Sequence, residues 1–186
     1  MERLRNFVLT ISRNYPESYW LKMHLLSGED HGIFSMGVPI EGEVKASFED
    51  SKKISASRLL SYDFFFSDGP GLISPRLYNI MVEENISGVE FLEASLILGN
   101  TSLPGYKIFN VIGSSRALDL EKSVSEPLIS TMPDGPSWFS KIVLDESLEL
   151  SDDVVRAEED FTVIVVKERV RSIFESRSVR GLRFEP

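Results

Sequence analysis

Short segments in which apolar and polar residues alternate recur along the chain, and this period of two is typical of half-buried β-strands. The first runs from Asn6 to Ser12, with its odd-numbered positions apolar. Further strands are predicted over 43–48, 88–98, 106–120, 141–150 and 161–166. The range 19–26 fits a strand or a short helix, because its pattern does not distinguish the two periods.

The most informative pattern is an internal repeat, in which the segments 73–91 and 166–184 match without a gap. Their glycines, Gly88 and Gly181, lie 93 positions apart. Apolar residues coincide at seven pairs of positions: 73/166, 77/170, 80/173, 81/174, 86/179, 89/182 and 91/184. We therefore predict that the two segments form equivalent structural units.

Each copy of the repeat has the pattern of one helix followed by one short strand. Leu77, Ile80 and Met81 have the i, i+3, i+4 spacing of one helix face, and the second copy matches it. Ser74 before Pro75 is a favourable helix start. The glycine after each helix permits the chain to leave it for a strand. Four side chains of these helix faces are predicted to be buried: Leu77, Ile80, Val170 and Ile173.

Successive strands with only two clear helices predict an α+β protein, in which a largely antiparallel sheet carries a few helices packed on one face. The chain has 186 residues, of which 42% are hydrophobic and 26% charged, and this predicts one domain over 1–186. A chain of this length folds without disulfides, and it has no cysteine. Its beginning lacks a signal-peptide pattern and no segment is apolar enough to span a membrane, so we expect a cytoplasmic protein.

The net charge of −9 limits the classes of partner. Nucleic-acid binding depends on neutralising phosphates, and an acidic chain is poorly suited to it. Acidic residues concentrate between positions 141 and 160, whereas basic residues predominate from Lys167 onward. Two solvated faces of opposite charge are one interpretation. An acidic surface presented to a basic protein partner is the other.

The candidates for a partner-binding surface are five acids and one tryptophan: Asp145, Glu146, Glu149, Asp152, Asp153 and Trp138. Asp152 and Asp153 lie in a polar stretch, and we expect both to be exposed. Alternatively, some of the acids pair with the basic C-terminal segment. Trp138 follows a surface loop predicted over 127–136, and tryptophan is enriched among residues that dominate binding energy. A position in the core is the alternative for Trp138, and Trp20 presents the same choice.

The sequence contains little that points to catalysis. Neither of the two common phosphate-binding glycine loops is present, and without cysteine there is no thiolate nucleophile or thiolate zinc site. Glu29, Asp30 and His31 are suitable metal ligands by type, but immediate neighbours point in different directions. No metal or cofactor is therefore predicted. Carboxylates from distant loops could still converge in a cleft, so a hydrolase remains an alternative function.

Short motifs from about Ser67 onward match a known family. They are Ile73-Ser74, Gly88-Val89-Glu90-Phe91, Tyr106, Phe109-Asn110-Val111, the run from Ala117 to Ser123, and Gly181-Leu182-Arg183-Phe184. In these motifs the chain resembles bacterial immunity proteins of polymorphic-toxin systems. Such proteins are small, cytoplasmic and encoded beside contact-delivered or secreted toxins, from which they protect the producing cell. The first sixty residues show no such likeness.

The resemblance implies partner binding and identifies no catalytic residue. By their chemistry, Asn110, Asp119 and Ser123 are structural: Asn110 can bond neighbouring backbone at a strand edge, and the other two can cap the following turn. The predicted function is a non-catalytic immunity protein that binds and neutralises a cognate protein toxin with a basic surface, without a nucleic-acid or membrane partner. A structural or adaptor protein without a toxin partner is a further alternative.

Overall fold

Strands form most of the regular structure in the computed structural model, which describes residues 5–26, 31–50, 55–127, 131, 137–147 and 149–186. In chain order the strands are β1 (Asn6–Ile11), β2 (Leu21–Leu25), β3 (Ala46–Asp50), β4 (Phe64–Phe65), β5 (Gly71–Ile73), β6 (Val89–Leu98), β7 (Thr101–Val111), β8 (Ser114–Ser115), β9 (Val124–Pro127), β10 (Ser137–Lys141), β11 (Val154–Ala157), β12 (Asp160–Lys167) and β13 (Leu182–Glu185). The α-helices are α1 (Ala56–Leu59), α2 (Pro75–Glu83) and α3 (Glu168–Ser176), and 3-10 turns occupy Glu17–Tyr19 and His31–Ser35. No described helix has the length and apolar character that a bilayer crossing requires.

The strands form two larger sheets and a two-stranded ribbon. The first sheet has the order β2-β3-β6-β7-β5-β4, the second has the order β13-β1-β12-β11-β8, and β9 pairs with β10 in the ribbon. Strand pairs are antiparallel except β3–β6 and β11–β8. The first sheet curls until its ends meet, where the Leu21 N–H donates to the Phe66 carbonyl at 2.8 Å. The predicted α+β class with largely antiparallel strands is confirmed.

Alternate residues of each sheet enter different apolar clusters, as the pleat of a strand requires. In the first sheet, Leu72 belongs to a cluster inside the curl, whereas Ile73 belongs to a second cluster that contains both long helices. In the second sheet, Val166 joins the same helix cluster, whereas Val165 joins a third cluster under the ribbon. The helices α2 and α3 thus share one core with one face of each sheet.

The predicted helix-plus-strand repeat is confirmed, since α2 leads to β6 and α3 leads to β13. Asn85 and Ser178, again 93 positions apart, end the two helices with positive φ of 50° and 53°. The N–H of the following residue bonds back to the last turn of its helix, at 3.0 Å in the first copy and 2.9 Å in the second, as in a Schellman motif. Of the four side chains predicted to be buried, Ile173 is only half-buried and the other three are buried: Leu77, Ile80 and Val170.

The repeat extends beyond the segments that match in sequence. The hairpin β4–β5 precedes α2 as β11–β12 precedes α3, and a further strand completes each half by pairing on both sides: β7 between β5 and β6, and β1 between β12 and β13. The strand pairings also correspond. Val89 on β6 lies opposite Val111 on β7, and Leu182, which matches Val89 in the repeat, lies opposite Ile11 on β1. The second half is therefore completed by the strand at the beginning of the chain.

The two halves meet at the matched glycines. Gly88 and Gly181 have φ of 88° and 112°, which side chains rarely adopt. A Cβ on Gly88 would overlap the carbonyl oxygen of Val154 on β11, and a Cβ on Gly181 would overlap that of Phe64 on β4. Each half thus places its glycine against the first strand of the other half.

Several elements differ from the sequence prediction, and β3 covers 46–50 instead of the predicted 43–48. The chain turns at Gly99 (φ 57°), so β7 begins at Thr101 and ends before the predicted limit. The strand predicted over 141–150 is wrong beyond Lys141, which is the last residue of β10. Ile142 and Leu144 alternate because they pack under the ribbon, and Leu144 forms an isolated bridge with Leu118. The strand β11 was not predicted. Most of the loop predicted over 127–136 lies outside the described residues.

Burial raises the pKa of Tyr15 from 10.0 to about 12. The folded state then holds this proton more tightly than the unfolded chain, so its contribution to stability is complete below pH 10 and is lost as the pH rises toward 12. We expect the free energy of unfolding to fall over this window and Tyr15→Phe to reduce the fall. Denaturant unfolding at a series of pH values measures both, and identical profiles for the two proteins would contradict the prediction.

Replacing Gly88 with alanine should destabilise the fold by more than about 3 kcal/mol, because a strained φ is combined with a backbone overlap. Gly99→Ala is the matched control: its φ is also positive, and a Cβ there meets no atom within 4 Å. We expect the control to cost about 1–2 kcal/mol. Denaturant unfolding of both variants provides the comparison. Equal losses of unfolding free energy would show that the backbone near Gly88 moves to accommodate the added Cβ.

Candidate binding surface

All four residues of β9 are exposed, whereas β10 contributes the partly buried Phe139 to the core, and the face of the ribbon opposite to Phe139 is called its outer face. Phe139 packs on the cluster under the ribbon, whereas its neighbour Trp138 is 48% exposed. Trp138 lies opposite Glu126, and Val124 shares the face of Glu126 because alternate residues point to one side. Val124 is also 48% exposed. Trp138 and Val124 therefore form an apolar pair on the outer face of the ribbon.

The turn that leads into the ribbon is built by two of the residues singled out in the family motifs. The Asp119 carboxylate accepts the N–H groups of Glu121 at 3.1 Å and Lys122 at 3.2 Å, and the bonded Lys122 ammonium lowers the pKa of Asp119. The Ser123 hydroxyl donates to the Val143 carbonyl and accepts the Val143 N–H at 3.0 Å. The predicted turn cap is confirmed for Asp119, whereas the Ser123 hydroxyl bonds the distant backbone of Val143 and not the turn that follows it.

Leu120 extends the apolar part of this surface. It lies in the same turn and is 55% exposed. Neither Leu120 nor Val124 was predicted from the sequence, because the former was assigned to the end of a strand and the latter to no element. The available signal was two isolated apolar residues in an otherwise polar run from Asp119 to Glu126.

Two of the predicted acids, Asp145 and Glu146, follow the end of β10 by a few residues, and Glu149 lies close to Lys167 and Arg169. Asp145 is half-exposed, and the hydroxyl and N–H of Ser147 bond its carboxylate at 2.6 and 2.9 Å and lower its pKa. Glu146 is exposed and lines a shallow depression together with Asp145 and Arg5. Glu149 is exposed and lines the adjoining pocket, which Arg5 also borders.

The two remaining acids differ in depth. Asp152 is half-exposed, but Asp153 is 8% exposed, so the expectation that Asp153 is exposed is wrong. Its carboxylate accepts the Ser87 N–H at 3.1 Å and pairs with the guanidinium of Arg169. The alternative interpretation applies to Asp153: it pairs with the basic C-terminal segment.

The environment of Asp153 is repeated in the other half of the molecule. Asp63 accepts the Arg180 N–H at 3.0 Å and an N–H of the Arg76 guanidinium at 2.7 Å. Each arginine also donates to a backbone carbonyl at the end of the opposite helix: Arg76 to Arg177, and Arg169 to Glu84. Asp153 therefore belongs to the junction of the two halves.

Asn110 is fully buried and joins distant segments of the first half. Its amide donates to the Glu90 carboxylate at 2.9 Å and to the Val38 carbonyl at 3.2 Å. The predicted bond to backbone is present, but its partner is far away in sequence. Asn110 thus attaches the segment 36–40 to the first sheet.

A cleft of about 670 Å³ opens where the two sheets diverge, and Trp20, Phe66 and Phe161 are among the residues that line it. Trp20 is 40% exposed. The Arg156 guanidinium donates to the carbonyls of Val111, Phe161 and Phe34 at 3.1, 2.6 and 2.8 Å, and burial lowers its pKa. These bonds make Arg156 a structural link between the two sheets.

Within the described ranges, no group of three or more histidine, aspartate or glutamate side chains is arranged to hold a metal ion. The candidate ligands Glu29 and Asp30 lie outside those ranges. His24 is on β2, with its Nε2 atom 3.3 Å from the carboxylate of Glu49 on the neighbouring strand.

The fold is a two-sheet α+β architecture with a ribbon that exposes Trp138 and Val124. The model of the immunity protein family (Imm11) matches residues 19–186, and the chain belongs to that family. The match begins well before Ser67 and so includes β2 and β3 of the first sheet. A search of curated proteins gives no match.

Asp153→Asn should destabilise the protein by about 1–3 kcal/mol, because it leaves the half-exposed Arg169 without its carboxylate partner. Asp152→Asn removes a neighbouring charge whose described bond is to the Ser151 hydroxyl, and we expect a change within about 0.5 kcal/mol. Chemical denaturation of both variants measures the difference. Similar losses of unfolding free energy in the two variants would show that the buried carboxylate of Asp153 does not stabilise the fold.

Proposed function

We propose that this chain is an immunity protein that neutralises a cognate toxin by binding it, without catalysing a reaction, in the cytoplasm of the producing cell. Membership of the immunity protein family supports this function. The proposed contact surface is the outer face of the ribbon together with Asp145 and Glu146.

The observation that carries this assignment is the half-exposed Trp138 beside Val124. Tryptophan is enriched among the residues that dominate binding energy, and such residues cluster with other apolar side chains inside a polar rim. Glu126 and Lys141 lie on the same face and supply such a rim.

The ribbon is attached to the core through β10, and an attached element has less conformational freedom to lose on binding. Phe139 packs into the cluster beneath it. The Glu159 carboxylate accepts the N–H groups of Ala117 at 3.2 Å and of Leu118 at 3.3 Å, where the chain enters the ribbon. The outer face is therefore presented by an anchored element.

Charge favours a basic partner. The ranges 116–127 and 137–149 contain six acidic and three basic residues, within a chain of net charge −9. Opposite potentials accelerate encounter, and salt screens them. Association with the toxin should consequently slow as ionic strength rises.

Trp138→Ala should weaken binding to the toxin encoded beside this protein by about 30-fold or more, mainly through faster dissociation. Trp20→Ala is the matched control, since it removes a tryptophan of similar exposure from the cleft. We expect the control to bind as the unaltered protein does. Surface plasmon resonance at several salt concentrations, with unfolding measured in parallel, tests both.

Three results would argue against the proposal. Unchanged binding by a correctly folded Trp138→Ala variant would exclude the outer face of the ribbon as the contact surface. Loss of binding in Trp20→Ala alone would place the contact at the cleft. Absence of any complex with the toxin would remove neutralisation by binding itself.

A further inference from the structure

The second sheet ends at β13, and β1 is the only described strand that pairs with it. The Ser12 N–H donates to the Gly181 carbonyl at 3.0 Å, which sets the alternation of the ladder. Arg183 lies two residues beyond Gly181, so its backbone groups also point to β1. The N–H and carbonyl groups of Leu182 and Phe184 point to the opposite, open edge.

This edge differs from the other ends of the two sheets. The first sheet curls until β2 meets the residues after β4, with the Asp68 N–H on the Leu21 carbonyl at 3.1 Å. At the far end of the second sheet, β8 has only two residues. The edge of β13 thus offers the longer stretch of unpaired backbone.

The three residues Arg183, Phe184 and Glu185 are complementary to themselves in an antiparallel arrangement. If a two-fold axis passes beside Phe184, each Phe184 N–H meets the carbonyl of the other Phe184. In the same register, Arg183 of each chain lies opposite Glu185 of the other, and opposite charges placed in this way stabilise a strand pair.

We propose that β13 pairs with β13 of a second copy of this chain, joining the two second sheets into one continuous sheet around a two-fold axis. Two-fold dimers with self-complementary contacts are the commonest oligomers of soluble proteins. This dimer is independent of toxin binding, because β13 is not part of the outer face of the ribbon.

The side chains on this strand are already held in place in one molecule. The Arg183 Nε donates to the Thr10 hydroxyl at 3.0 Å, and its Nη2 lies 2.7 Å from the Glu185 carboxylate. Phe184 packs against Phe174, with ring centroids 6.2 Å apart. Pairing therefore orders few additional groups, which lowers its entropic cost.

The alternation of charge also selects the partner. A short edge with charged side chains resists pairing with unrelated strands. A partner strand avoids this repulsion if it places a carboxylate opposite Arg183 and a cation opposite Glu185. The strand β13 of a second copy provides both charges. A second copy is therefore favoured over an extended segment of another protein.

Charge exchange tests the proposal in the purified full chain without any toxin. Sedimentation equilibrium over a concentration series should show a dimer for the unaltered protein. Arg183→Glu and Glu185→Arg each place like charges opposite one another and should weaken the dimer by about tenfold or more. The double variant R183E/E185R restores opposite charges and should dimerise like the unaltered protein.

A mixture of the two single variants is the most demanding arm of the experiment. It should form a mixed dimer, since one chain then carries two acids and the other two cations. Unfolding curves check that each variant is folded, and Glu185→Arg preserves the bond of Arg183 to Thr10. A protein that is monomeric at every concentration, or variants that all dimerise equally, would overturn the proposal.

Discussion

The architecture depends on two places where backbone meets backbone too closely for any side chain. Gly88 lies against the Val154 carbonyl, and Gly181 lies against the Phe64 carbonyl in the corresponding position of the other half. The residue before each glycine donates its N–H to a buried aspartate of the opposite half. These contacts fix the spacing of the two sheets and, with it, the space that both helices fill.

The same junction explains how the halves depend on one another. The second half contains β1 together with β11, β12, α3 and β13. In the chain, the whole first half lies between β1 and these other elements. The second half is therefore assembled from segments on both sides of the first half. The paired arginines, Arg76 and Arg169, reinforce this by bonding the end of the opposite helix. The result is a rigid centre from which the ribbon projects.

The polar groups at the junction of the two halves are engaged within the molecule. The buried carboxylates, Asp63 and Asp153, are occupied by arginines and backbone N–H groups. Asp145 and Glu146 follow β10 by a few residues and remain at the surface, and Trp138 and Val124 are exposed on the ribbon itself. A surface of this kind presents a preformed apolar centre with charged surroundings, which is the pattern of a specific protein interface.

Local information in the sequence determined the two helices, the start of the first and the repeat, because helix periodicity and capping depend on near neighbours. It also determined the turn-capping role of Asp119. Tertiary structure alone decided that β1 completes the second half, that Asp153 is buried and that Val124 faces solvent beside Trp138. Strand pairing and burial depend on residues far apart in the chain. A run of acidic residues therefore gives the charge of a segment but not which of its side chains are buried.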